Sequence, residues 1–384
     1  MTKKTKGIVA LAAVCILALA AVAIIIIVAK KRENNHVYSV YIGAYGDKAV
    51  KYSFNCRTLE MSKLADYNDA NPSFITLSPD SKFLFAVSEN AAKSGVSSFR
   101  NTFTPSKINR RKDLGVDPCY ITYYKNYLMT ANYGGGSISL FPVDTNGNIK
   151  QCSQIIKFLG SGPNIARQAS SHIHTVRVIK GRDTGNDYVM ATDLGCDKLY
   201  FFRFGNDSLK RKNMKLYWCD TASYSVPAGY GPRHVEFSNN GQYMYLLCEL
   251  SGRILVYNIN EKGKNLILNQ IQDTLSDRMN AAASADIHIH PNGRFLYASC
   301  RKVRDGISIF QVHSDGTLSK IGYQITGEGP RNFAITPDGD FMLVACQQDH
   351  KVQIFRINKK TGFLTNTDKT LKLNDLEPVC ILIR

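Results

Sequence analysis

Along most of the chain, short runs of alternating apolar and polar residues are broken by turn-forming clusters. That is the pattern of half-buried strands, not of helices. Residues 74–89 (Phe-Ile-Thr-Leu-Ser-Pro-Asp-Ser-Lys-Phe-Leu-Phe-Ala-Val-Ser-Glu) show the unit: a short alternating strand, a Pro-Asp turn, a second apolar strand. The unit returns at 235–249, 287–301 and 333–347, and its turns begin at Pro79, Asn239, Pro291 and Pro337. Degenerate copies occupy 118–132, with a shorter turn, and 174–193, with a longer one; Pro378-Val-Cys-Ile-Leu-Ile reads as a lone first strand. From Pro72 to Pro378 the seven copies are 51 residues apart on average. A β-repeat of that period, lacking 3.6-residue periodicity, predicts a propeller with about one blade per repeat. Because the last copy is a single strand, residues 37–43 are expected to complete its blade and close the ring.

One stretch departs from this pattern. Gly7 to Ala29 are 23 residues without a charge, enough at ~1.5 Å per helical residue to cross a bilayer core. Lys3, Lys4 and Lys6 precede the run, and Lys30, Lys31 and Arg32 follow it. Cys15 follows a bulky Val14, and the apolar run continues for 14 residues beyond it, so an uncleaved anchor reads better than a cleaved leader. The chain is thus expected to comprise a basic tail (1–6), a transmembrane anchor (7–29), a linker (30–36) and the propeller (37–384). The fold class is an all-β seven-bladed β-propeller preceded by a single N-terminal transmembrane helix. A lysine-tipped terminus kept inside places the main domain outside the cytoplasm, although the two flanks carry nearly equal positive charge and leave the cytoplasmic face open. The nine cysteines after the anchor, an odd number with no C-x-x-C pair, pull mildly toward a reducing compartment.

Composition narrows the field. Hydrophobic residues at 44% and charged residues at 21% exclude disorder. Of the net charge of +17, six positive charges lie in the first 32 residues, which leaves +11 on the remainder and suits an anionic ligand or surface as well as plain solubility. Basic residues are scattered, and Arg110-Arg111-Lys112 and Lys210-Arg211-Lys212 read as solvated loops, so no nucleic-acid partner is expected. Trp218 is the only tryptophan and no Gly-His…Trp-Asp signature recurs, against a WD40-type platform.

Aligning the copies puts His174, Arg233 and Arg331 at one first-strand position. It puts Glu89, Asn132, Asp193, Glu249, Arg301 and Gln347 at one position ending the second strand. Facing solvent, such a set is a polar rim; facing the channel, acids and arginines converge on one pocket. The segments Tyr41-Ile-Gly-Ala-Tyr, Asn71-Pro-Ser, Ala131-Asn-Tyr-Gly-Gly-Gly-Ser, His172-Ile-His, Gly231-Pro-Arg-His, Ala285-Asp-Ile-His and Gly329-Pro-Arg-Asn-Phe stand in order at blade spacing. Together they resemble the seven-bladed lactonases that include bacterial 6-phosphogluconolactonase, with a related fungal branch that cycloisomerises carboxylated muconates. The resemblance implies hydrolysis of a sugar δ-lactone without metal or other cofactor, by a catalytic set of His174 (or His172), Glu249, Arg233 and Arg301. The chain departs from the usual lactonase pattern at Ser299-Cys300-Arg301, where the family often has Ser-Asn-Arg.

Lactone opening needs an activated water and a stabilised oxyanion. A carboxylate between arginines is a weak base, whereas histidine starts near the working range. His174 is therefore expected to take the proton, with Glu249 orienting it or the water. Arg233 and Arg301 would hold the lactone oxygen or an anionic substituent, Arg331 a phosphate, and Asp286 and His288 would reach the same mouth, with His172 beside them. The pairs His172/His174 and His288/His290 have strand spacing for one face, but no third ligand stands nearby, so no metal is expected; His290 reads as structural. The expected partners are a sugar lactone and, through the anchor, a membrane; nothing in the sequence specifies an oligomer. The competing readings are a non-catalytic tethered binding platform and a muconate-type cycloisomerase. An outward-facing domain would favour an unphosphorylated lactone.

Overall fold

The computed structural model describes residues 37–179, 187–206, 214–259, 266–275 and 283–384. Within them, 28 strands (β1 to β28 in chain order) form seven four-stranded antiparallel sheets, six of them simple meanders. The seventh joins the two ends of the propeller: β28 (Glu377–Ile383) is its first strand and pairs with β1 (Val37–Tyr45), Val40 opposite Ile383 and Ile42 opposite Ile381. The lone final strand of the sequence thus finds its partner at the amino-terminal side, as expected. The ring closes by backbone hydrogen bonds, so the last strand of the chain is not left unpaired.

The first strands of all seven sheets supply the wall of one central channel, which widens into a cavity of about 340 Å³. Three of the turns between first and second strands share one chemistry. Ser78, Ser238 and Thr336 each place a hydroxyl on the oxygen of the Asx residue two positions on (Asp80, Asn240, Asp338), and each hydroxyl accepts the amide five positions on. This hydrogen-bonded turn is why the Pro-Asp-Gly cluster recurs. Gly241 and Gly339 sit in its left-handed corner at φ 64° and 76°, and Gly293 holds the same corner at 73° in the turn built on His290. Between blades the alternating side chains interdigitate. Phe54 meets Phe341 edge-on at 5.7 Å across the closing seam, and Phe85 stacks on Tyr123 at 5.5 Å. Each fully buried ring of this kind contributes roughly 1.5–3 kcal/mol.

The expected anchor at 7–29 and its flanks lie outside the described residues; among the described residues no helix is long and apolar enough to cross a membrane. All nine cysteines from Cys56 to Cys380 are free thiols.

Candidate active site

A repeated backbone irregularity builds the site. In four first strands the pairing skips one residue near its start: between Pro118 and Tyr120, Ile173 and Thr175, Pro232 and His234, and Pro330 and Asn332. The closing strand shows the same slip, Gly43 pairing with Cys380 and Ala44 with Pro378. A bulge residue is released from the ladder and its side chain re-aimed. The five residues released are Cys119, His174, Arg233, Arg331 and Val379, and all five line one narrow pocket at the channel mouth. The two Gly-Pro-Arg segments set their bulges alike. Gly231 and Gly329 adopt φ 64° and 65°, and their carbonyls accept the amides of Glu249 and Gln347 at 2.7 and 2.9 Å.

Glu249 is the centre of charge. Its Oε2 accepts from Arg233 Nε at 2.9 Å and its Oε1 from Arg167 Nη2 at 2.9 Å, with Arg301 Nη2 at 3.7 Å. Burial pushes its pKa up, but Arg233, Arg301 and Arg167 outweigh that and hold it down to about 2. Arg301, donating through Nε to the Ala283 carbonyl at 2.9 Å, is itself lowered to about 9 by burial and by the neighbouring guanidiniums, against the pull of Glu249. Burial, with Arg233, His234 and Arg331 adding to it, drives His174 well below the usual histidine range, so its ring is neutral at neutral pH. On the other side of the mouth Arg331 donates to the Tyr45 hydroxyl at 3.0 Å, and that hydroxyl donates to Glu89 at 2.8 Å. Arg331 also reaches Gln347 at 3.5 Å.

Two participants come from outside the aligned positions. Arg167 stands on a single helical turn (Ile165–Gln168) pinned from below by the buried Gln168, whose amide donates to the Leu194 carbonyl at 2.8 Å and accepts from the Asn164 amide at 3.1 Å. Tyr133 receives Arg167 at 3.3 Å and stacks on His172 at 4.4 Å. His172 donates from Nδ1 to the Tyr133 carbonyl at 2.8 Å, and it is absent from the wall of the narrow pocket that His174 lines. The His172/His174 pair therefore does not share one face: the bulge at His174 breaks the alternation.

The structure corrects the aligned second-strand set. Asn132 and Asp193 are in register with Cys248 and Cys346, each opposite the first residue of its paired strand. Glu89, Tyr133, Leu194, Glu249, Arg301 and Gln347 follow one residue later. The unequal turns of the two degenerate copies hid a one-residue slip, and one residue reverses the face. Asn132 accordingly bonds Ser137 and Ser139, and Asp193 accepts the His172, Gly195 and Cys196 amides, all away from Glu249. Cys300 occupies the corresponding interior position, 3.7 Å from Ser308 Oγ and 3.9 Å from Ser284 Oγ. The departure from Ser-Asn-Arg thus falls between strands, on the face opposite Arg301.

Asp286 and His288 are not part of the arginine mouth as expected; they belong to the opposite half of the channel. Three residues beyond His174, Arg233 and Ala285 stand Arg177, Glu236 and His288, which line the 340 Å³ cavity or abut it. Glu236 receives Arg177 at 3.3 Å and His288 Nδ1 at 3.2 Å, and His288 Nε2 reaches Asp286 at 3.0 Å. Burial disfavours the charge on His288, yet Asp286 and Glu236 overcome it and push its pKa up to about 10. Asp286 also meets His234 Nδ1 at 2.7 Å, which makes it the link between the two halves. His290 is tied into its turn by Gly339 O at 2.9 Å and the Asn292 amide at 3.1 Å. Among the described residues no three His, Cys, Asp or Glu side chains group as a metal-ligating set.

Seven closed blades around a channel, with a basic, carboxylate-centred pocket at one mouth, define a β-propeller with a candidate site in its channel. More particularly, the chain belongs to the lactonase, 7-bladed beta-propeller family, whose model matches residues 39–383. It is 35% identical over 351 residues to a 6-phosphogluconolactonase of Formosa agariphila, covering 87% of this chain and 97% of that one. A crystal structure of a putative 6-phosphogluconolactonase from Bacteroides fragilis superposes with a TM-score of 0.84 at 36% identity, over 91% of this chain and 98% of the other. The periplasmic gluconolactonase of Pseudomonas aeruginosa matches at a TM-score of 0.81 and 26% identity, over 90% and 99%.

Proposed function

We propose that the chain hydrolyses a sugar δ-lactone to the open hydroxy acid at the Glu249 mouth. The observation that carries this reading is the convergence of His174, Arg233 and Arg331, from equivalent bulges, on one pocket beside Glu249. His174, neutral at pH 7, is placed to take a proton from water as the water oxygen adds to the lactone carbonyl carbon. Arg233 and Arg301 face the negative charge that gathers on the carbonyl oxygen, in a buried setting where such donors act strongly. Cleavage of the ring C–O bond returns the proton from His174 to the departing ring oxygen, leaving a carboxylic acid that ionises. Glu249 remains an anion that orders the guanidiniums.

Guanidiniums outnumber carboxylates at the mouth, which supports an anionic substrate, with Arg331 as the phosphate contact. The relatives from Formosa and Bacteroides, named for the 6-phosphate lactone, agree with that choice. The apolar run at 7–29 favours instead an outward-facing domain and an unphosphorylated lactone, as in the periplasmic Pseudomonas enzyme. The test is lactone opening above the spontaneous rate by the full chain, comparing glucono-δ-lactone with its 6-phosphate. Turnover that collapses in His174→Ala and Glu249→Gln is the expected result, with a preference for the phosphate that Arg331→Ala abolishes. Equal rates on both substrates would select the unphosphorylated reading, and no turnover on either would reject the lactonase reading.

A further inference from the structure

Arg233 can only donate hydrogen bonds, and the structure accounts for three of its donors. Nε goes to Glu249 Oε2 at 2.9 Å, and Nη1 goes to the Ala285 carbonyl and to His234 Nε2, the latter at 3.2 Å. A bond from Arg233 to Nε2 requires that nitrogen to be bare, so the proton of the neutral ring sits on Nδ1. Nδ1 lies 2.7 Å from Asp286 Oδ1. The His234 ring is also walled by aromatic edges, with Tyr120 at 5.6 Å and Phe74 at 6.3 Å between centroids.

Asp286 is itself fixed by two neighbouring blades. Its Oδ2 accepts from His288 Nε2 at 3.0 Å, from Asn332 Nδ2 at 2.5 Å and from the Phe333 amide at 3.2 Å, and its own amide donates to Ser299 Oγ at 2.9 Å. We infer that Asp286 is a positioning residue for this site: by holding the His234 proton on Nδ1 it keeps Nε2 as an acceptor, and so aims the Arg233 guanidinium at Glu249 and at the substrate. Its kinetic consequence rests on the lactonase reading above; its structural content does not. Logic of this kind, a buried carboxylate choosing a histidine tautomer for a third group, is familiar from hydrolase triads.

The isosteric Asp286→Asn change makes the idea sharp. Three donors face Oδ2 and one faces Oδ1, so the amide oxygen turns to the three and its NH2 turns to His234. The His234 proton then moves to Nε2 and points at Arg233. We expect kcat/KM for lactone opening to fall about 10–100-fold, the scale of losses when the partner of a site histidine is altered. In the full chain labelled with 15N-histidine, the His234 signal, assigned by its loss in His234→Gln, should report protonated Nδ1 in wild type and protonated Nε2 in Asp286→Asn. His234→Gln, which puts an amide oxygen near the former Nε2, should retain more activity than His234→Asn, which cannot reach Arg233. A wild-type proton on Nε2, or Asp286→Asn with full kcat/KM, would overturn the inference. Should the wild-type chain open no lactone, the lactonase reading fails alone, and the His234 tautomers in wild type and Asp286→Asn still decide the positioning role.

Discussion

The two halves of the channel use the same seven strands and reach opposite electrostatic ends. At the mouth, Arg167, Arg233, Arg301 and Arg331 crowd Glu249 and Glu89, and the charge is left uneven. Three residues further along the same strands, Arg177, Glu236, His288 and Asp286 pair off, two cations against two anions. A balanced set satisfies itself and holds blades together, whereas an unbalanced one keeps donors available for a ligand that completes it. The difference between a site and a brace is therefore one of surplus, since both are largely shielded from solvent and both are rich in ionisable groups.

The largest expected contrast comes from removing one arginine in each half. Arg233→Ala should lower kcat/KM by roughly 10²–10³-fold, the scale of a lost oxyanion donor, in a chain whose thermal unfolding still shows one cooperative transition. Arg177→Ala should do the reverse, leaving kcat/KM nearly unchanged while costing about 1–3 kcal/mol of stability by removing one of the two cations that hold Glu236. The comparison breaks if Arg177→Ala is the more damaging to turnover.

A subtler separation lies in pH. Activity should stay flat on the acid side through the usual histidine range, because burial and the neighbouring guanidiniums already keep His174 neutral there. His288 reports the other half. Its folded pKa is raised, so its pairing stabilises fully below the unfolded value of about 6.5 and is lost as pH climbs through about 10. Melting temperature should therefore decline across that window, and His288→Gln should flatten the decline. The smallest effect is expected from Cys300→Asn, which restores the family residue between strands: about twofold or less in kcat/KM, since the change faces Ser308 and not Glu249.

The repeat and its turns made the seven blades and their closure legible, because hydroxyl-Asx turns and alternating strands are written in consecutive residues. The convergence of His174, Arg233 and Arg331 was legible for the same reason, though its cause, the bulge, was not. Asn132 and Asp193 went astray because an unequal turn conceals a one-residue slip that only pairing reveals. Arg167 had no signal, since a loop turn carries no repeat register. The lower ring did have one: Arg177, Glu236 and His288 each lie three residues after an aligned position.

The closing strand has one more consequence. Tyr45, at the end of β1, touches Glu89 and Arg331, while Tyr38, near its start, faces Asp338 in one of the repeated turns. Nine residues at ~3.3 Å each carry the backbone through the thickness of the disc. Val37 therefore lies at the turn face. The arginine mouth, where β1 ends at Tyr45, opens on the opposite face.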